Sequence, residues 1–450
     1  MVAFLFHKEL VNKPKKTVVN KIDVRCISMD SLRQHASQIF QSAVTAANPY
    51  DAVKQHFVLP ENFSKIHVIA FGKAACSMAM AAQELIPKNL FGDAIAVTNY
   101  ENVTLVENVE VIGASHPLPD LAGFEAAKRI AQIAKDAKAD ELVLVLISGG
   151  GSALIPFPVD GIMLNEKIAT TNLLLSCGAT INEINCVRKH LSQLKGGQLA
   201  KLIEPAKCHA LILSDVLGDD LSVIASGTTV PDKTTFADAV IILKTKNIWQ
   251  KIPLSVQNYL ENAVCETPKS LKNAENILIG SNLISVEAAI KMAQSLDYQV
   301  IRHNYPFCGE AREMAEDFVL AAKHVENSNI AFITGGETTV TLRGNGKGGR
   351  NQEMALAIAI AAQKHNLKSE WVFLSGGTDG IDGVSSAAGG IVDNKTLERM
   401  KNAGVNPAQL LENNDSYTAL KSSNDLLITG ATGTNVADIQ ILLIQAEKNL

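Results

Sequence analysis

The chain is short of most features that would place it outside the helix-and-strand enzymes. Aromatic residues make up only 5% of its 450 residues, while Ala, Ile, Leu, Val and Gly dominate. That mixture suits parallel sheets covered by helices better than sandwiches or barrels of short antiparallel strands. The seven cysteines include no CxxC pair, so they read as free thiols of a reducing compartment, and a cytoplasmic location is expected. No apolar run reaches the ~18 residues that a membrane span needs. Basic residues form no stripe: Lys and Arg number 41 against 46 Asp and Glu, for a net charge of −5. Nucleic acid and membrane are therefore not expected partners. No GxxxxGK[ST] loop, protein-kinase signature set or GxSxG strand–helix junction occurs, which excludes a P-loop enzyme and argues against a serine hydrolase. The histidines show no metal-ligand spacing.

What is present is enough for sizeable cores. Hydrophobic residues are 47% and charged residues 19%, and the length calls for two domains. Residues 1–28 are basic, lack the apolar stretch of a signal peptide, and read as an extension or as sequence upstream of a true start at Met29. Helical periodicity begins after Met29, with Asp30 as the expected N-cap, and is interrupted at Asn48-Pro49. A repeating grammar follows: a short apolar strand, a glycine- or Asp-containing turn, then an Ala-rich helix. The polar stretch 265–274, with Pro268, marks the boundary between a Rossmann-like α/β domain at 29–268 and a second α/β domain at 269–450. The expected fold is two domains, each a mainly parallel sheet flanked by helices.

The chemistry sits in the turns. In open α/β sheets the ligand lies beyond the carboxyl ends of the strands, and glycine there lets backbone N–H groups approach an anion. Glycine-rich loops occupy 149–152, 335–337, 344–350, 376–380 and 430–435. Any one is an ordinary tight turn; together they point to phosphate or nucleotide handling. The segment Gly344-x-Gly346-x-x-Gly349 matches a dinucleotide fingerprint in form only, because the next strand ends in Leu374-Ser375 and lacks the acid that would hold a ribose. Its Lys347 and Arg350 instead offer cationic donors to phosphoryl oxygens. Arg350 also opens a helix, where a basic residue opposes the dipole unless an anion binds nearby. Lys73 follows a strand directly. Asp215, Asp379 and Asp382 lie on loops after strands, where carboxylates hold Mg²⁺ or accept a hydroxyl proton. Aspartate is equally a favoured turn and cap residue, and Glu337 has the same ambiguity. Ser148, Gly149, Gly150, Gly151 and Ser152 form a candidate anion cradle, and His116 lies on a proline-bounded loop.

Several strings, in this order, resemble the glycerate 2-kinase family. They are Phe71-Gly72-Lys73-Ala74-Ala75, Ser115-His116-Pro117-Leu118-Pro119-Asp120, Ile147-Ser148-Gly149-Gly150-Gly151-Ser152, Arg188-Lys189-His190, Lys195-Gly196-Gly197 and Leu213-Ser214-Asp215-Val216. In the second half Gly335-Gly336-Glu337-Thr338, Gly348-Gly349-Arg350-Asn351-Gln352-Glu353 and Gly376-Gly377-Thr378-Asp379-Gly380 continue the series. The resemblance spans about 30–444 and implies a C-terminal MOFRL domain, a site in the cleft between two domains, and ATP-dependent phosphorylation of D-glycerate at its 2-hydroxyl with Mg²⁺. It makes Lys73 and Arg350 the strongest catalytic positions, joined by Asp215 and Asp379. Arg188, Lys195, Glu337, Lys347 and Asn351 become candidate substrate or phosphate contacts, and Asp215, Asp379 and Asp382 candidate metal ligands. A homodimer is the assembly to test for. The competing readings are an NAD(P)H-dependent hydroxypyruvate reductase and a non-catalytic nucleotide-binding regulator.

Overall fold

The computed structural model describes residues 28–323 and 329–445; all but the last residue of the expected extension lies outside the described residues. The first sheet has six strands: β1 (Lys65–Phe71), β2 (Phe91–Asn99), β3 (Glu110–Ala114), β4 (Glu141–Ile147), β5 (Lys207–Leu213) and β6 (Ala274–Gly280). All pairs are parallel and the order is β3-β2-β1-β4-β5-β6, the doubly wound Rossmann arrangement. β4, Glu-Leu-Val-Leu-Val-Leu-Ile, is buried along its whole length, as a central strand with helices on both faces must be. The direction in which strands are added reverses between β1 and β4. Their carboxyl ends therefore part to leave the crevice where such sheets bind ligands.

The second sheet contains β7 (Gln299–Arg302), β8 (Phe307–Glu310), β9 (Ile330–Thr339), β10 (Trp371–Gly377), β11 (Gly389–Asp393), β12 (Leu426–Leu427) and β13 (Asp438–Ile444). Its order is β12-β11-β10-β13-β9-β7, with β8 also on β9. Here the pairing is mixed rather than mainly parallel. β9 and β10 do run in one direction, joined by the buried helix Arg350–Lys364, but β13 inserts between them antiparallel to both. The strand–helix–strand grammar was legible; the return of the chain's last strand into the gap was not.

The seam between domains also differs from the expected 268/269. β6 hydrogen-bonds to β5 and completes the first sheet. The first helix, Met29–Ala46, packs on the second sheet instead, placing Leu32, Ile39 and Phe40 among Val286, Ile333 and Leu374. Arg33 pins it there through Asp393 and Asp425 at 2.5 and 3.0 Å. Ser28, not Asp30, caps this helix, its Oγ accepting from the Ser31 N–H at 3.2 Å. A separate helical layer (Leu164–Ser176, Ile181–His190, Phe236–Thr245 and Leu254–Asn262) closes one side of the first domain around Ile184, Val187, Leu243 and Trp249. Among the described residues no helix is long and apolar enough to cross a membrane.

Candidate active site

The loops at the ends of β1 and β4 lock each other. The Lys73 N–H donates to the Gly149 carbonyl at 2.8 Å, and the Ser148 N–H to the Phe71 carbonyl at 3.0 Å. The Ser148 hydroxyl accepts the Ala74 N–H at 3.0 Å. This fixes Lys73 over the 148–152 loop, where no protein acceptor takes the N–H of Gly149 or Gly150 among the described residues. Gly150 adopts φ +81°, a conformation costly to other residues. Asp215, from the end of β5, lies flat against the loop: a Cβ on Gly149 would sit 2.2 Å from its Oδ2. Glycine at 149 is therefore required for close approach of a carboxylate.

The second domain supplies a charged group of its own. Arg350 grips the buried Asp438 with two hydrogen bonds, Nε to Oδ2 at 2.5 Å and Nη2 to Oδ1 at 3.0 Å, and reaches the exposed Glu337 with Nη1 at 2.8 Å. Asp379, at the end of β10, accepts the Ile381 N–H at 3.0 Å. Burial raises the pKa of both Asp215 and Asp379, and Asp438 raises that of Asp379 further. The Lys73 charge opposes the rise in each. One ammonium from the first domain is thus felt by carboxylates of both domains. His116, beside Gly150, feels it too: burial first and then Lys73 lower its pKa. Neither Asp215 nor Asp379 takes part in an ion pair of the described residues. Lys73, Asp215, Asp379 and Arg350 are each half-buried, and the Lys73 charge acts on both carboxylates while that of Arg350 acts on Asp379.

Other expected residues have different work. Asp382 is buried and caps the helix Arg350–Lys364 across the loop, accepting the N–H groups of Asn351 and Gln352 at 3.2 and 2.9 Å and the Gln352 Nε2 at 2.9 Å. With its oxygens taken, it does not fit a metal ion, which corrects its place among the candidate ligands. The Asn351 side chain is also internal, accepting from Ser375 Oγ at 2.6 Å. The first half of the 344–350 loop is not an anion cradle. Asn414 Oδ1 accepts the N–H groups of Arg343 and Gly344, and Asp415 Oδ1 that of Lys347. A Cβ at Gly344 would meet Asn413 at 2.3 Å and one at Gly346 would meet Asp415 at 2.4 Å, so these two glycines serve packing on 413–415. The Lys347 ammonium lies over the Tyr417 ring, 4.2 Å from its centre. Arg188 and Lys195 do come together, both donating to the Ser152 carbonyl, at 3.2 and 2.8 Å.

Two charged residues escaped the sequence reading. Asp438 heads a strand that is otherwise apolar, Asp-Ile-Gln-Ile-Leu-Leu-Ile; a lone acid opening such a run is the signal that would have found it. Lys167 stands on an ordinary helix and gives no signal. Among the described residues no cluster of three or more His, Cys, Asp or Glu could hold a metal. Mg²⁺, however, commonly takes only one or two carboxylates with substrate phosphates, and the unpaired Asp215 and Asp379 fit that donor set.

Comparison with known proteins identifies the family. Residues 35–261 match a domain of unknown function, DUF4147, and residues 330–438 match the MOFRL family. A glycerate 2-kinase from Pyrococcus horikoshii is 40% identical, the match covering 94% of this chain and 99% of that one. A relative from Agrobacterium vitis bearing a hydroxypyruvate reductase name is 41% identical over 92% of this chain and 95% of its own. The crystal structure of a glycerate kinase from Thermotoga maritima superposes with a TM-score of 0.87 at 41% identity, covering 92% of this chain and all of that one. With this identity along nearly the whole chain, the protein belongs to the glycerate kinase family.

Proposed function

We propose that the protein is a cytoplasmic, ATP- and Mg²⁺-dependent kinase that converts D-glycerate to 2-phosphoglycerate and ADP. The observation that carries this reading is the packing of Lys73 and Asp215 on the same glycine loop, against Gly150 and Gly149, with no ion pair taking the Asp215 carboxylate among the described residues. Phosphoryl transfer asks a protein for positioning and neutralisation more than for a nucleophile. In the reaction the substrate's 2-hydroxyl oxygen bonds to the γ-phosphorus, the bond to the β–γ bridging oxygen breaks, and the hydroxyl proton passes to an aspartate. Asp215 and Asp379 are suited to that role because burial raises their pKa and makes them stronger bases when ionised. Whichever of the two does not take the proton would hold Mg²⁺, which when bound would supply positive charge to phosphate oxygens. Lys73 and Arg350 stabilise the transferring group, and the free N–H groups of Gly149 and Gly150 receive an anion beside it. Closure of the cleft keeps water from the nucleotide.

The test is product identity. The protein is incubated with ATP, Mg²⁺ and D-glycerate, and the product is coupled to enolase without phosphoglycerate mutase. Signal supports the 2-phosphate. Signal only with mutase indicates the 3-isomer and overturns the regiochemistry. Oxidation of NADH by hydroxypyruvate, with no ATP-dependent turnover, overturns the kinase reading.

A further inference from the structure

Away from Lys73 the described residues hold a second group of cations with no acid to balance it. Lys167 from the helix Leu164–Ser176, Arg188 from the helix Ile181–His190 and Lys195 from the following loop converge beside Ser152. Lys195 and Arg188 share one carbonyl, that of Ser152. The Lys167 ammonium is buried and has no hydrogen-bond partner at all. Burial, and then the Arg188 charge, pushes the pKa of both lysines well below the ordinary lysine value. Three uncompensated cations in one buried place are expensive, and an anion entering between them removes the expense.

A cavity of about 140 Å³ opens at this cluster, bordered by Pro117, Leu118 and Pro119. It is well under the roughly 300–1,000 Å³ of pockets for drug-sized ligands. A nucleotide does not fit inside it; the carboxyl end of a three-carbon acid does. Ser152, which ends the 148–152 loop, borders the cavity as well. Pro117 follows His116, whose ring is 3.1 Å from the place of a Cβ on Gly150, and Lys73 Cγ is 3.3 Å from that same place. An acid held by its carboxylate in the cavity carries its 2-hydroxyl on the adjacent carbon, beside the loop that also packs against Lys73.

We propose that Lys167, Arg188 and Lys195 form the receptor for the substrate's carboxylate, and that Lys167 sets the preference for a hydroxy acid over a neutral polyol. The assignment rests on the kinase reading above for the identity of that substrate. Its test uses the full-length protein and the variants Lys167→Met and Lys167→Gln. Calorimetry gives the Kd for D-glycerate without ATP, steady-state kinetics give both KM values, and thermal melting gives Tm. The expected result is a rise of about 10- to 100-fold in the Kd and KM for D-glycerate, the usual worth of a charge-assisted hydrogen bond. The KM for ATP stays within about two-fold and Tm rises in Lys167→Met, because removing a buried unpaired charge relieves the fold. A selective rise in the KM for ATP assigns the cluster to phosphate and overturns the proposal. Unchanged constants, with or without a loss of Tm, overturn it as well. If the wild type binds D-glycerate through Lys167 yet never phosphorylates it, the kinase reading fails and the carboxylate receptor stands.

Discussion

Replacing Arg350 with alanine separates a structural role from a chemical one, provided that a second change accompanies it. The guanidinium makes a two-bond pair with Asp438, whose side chain is 1% exposed, while Arg350 itself is 34% exposed. Arg350→Ala leaves a buried carboxylate with no partner. Breaking a fully buried pair costs ~3–5 kcal/mol; with Arg350 a third open to water, roughly 2–4 kcal/mol is the expected loss. That corresponds to a fall in Tm of roughly 5–15 °C. If Arg350 also stabilises the transferring phosphoryl group, kcat falls by about 10²–10³-fold. The double variant Arg350→Ala/Asp438→Asn removes the orphaned charge. It should recover most of the lost Tm and none of the lost kcat, and the two effects are read by thermal melting and by the enolase-coupled assay on the same samples. Recovery of kcat along with Tm would refute the catalytic assignment and leave Arg350 as a counter-ion of Asp438. A single variant that keeps activity within about ten-fold of wild type would refute it too.

Three further outcomes follow from the geometry. Gly149→Ala sets a methyl group 2.2 Å from Asp215 Oδ2; displacing that carboxylate or the loop should lower kcat by about 10²-fold, with Tm nearly unchanged, and wild-type activity would show that Asp215 has no part in the reaction. Lys347→Ala removes only a contact with the Tyr417 ring, worth ~0.5–1 kcal/mol at an exposed site, so the KM for ATP should hold within about two-fold; a ten-fold rise would restore the 344–350 loop as a phosphate site. Burial pushes the Asp382 carboxyl up to about 6 from an ordinary 3.8. The folded protein then holds a proton that the unfolded chain has lost, and stability contributed by this group falls by about 2–3 kcal/mol as pH rises from 4 to 6. Asp382→Asn should flatten that part of the pH–Tm curve, and an unaltered slope would contradict the assignment.

Sequence by itself determined a good deal here, because local chemistry was enough. Strand-length apolar runs that end in glycine gave βαβ units, and the order of β1 to β5 with their turns predicted the Rossmann-like half. The same reasoning put Lys73, Asp215 and Asp379 at strand ends, where the cleft lies. Tertiary structure decided whatever depended on partners distant in the chain. Arg350 and Asp438 lie 88 residues apart and meet only because β13 slots between β9 and β10. Asp382 looked like Asp379 in sequence, yet one caps a helix and the other stays half-buried at a strand end with no ion-pair partner among the described residues. The 344–350 glycines were read as an anion cradle, and segment 413–415 claims the N–H groups of Gly344 and Gly346 instead. Lys167 illustrates the limit most plainly. A lysine on a helix is ordinarily solvated, and nothing in its neighbours reveals that a second layer of helices will bury its ammonium beside Arg188 and Lys195. Periodicity records which residues face a core; which charges are left there without a partner is fixed only when distant segments pack together.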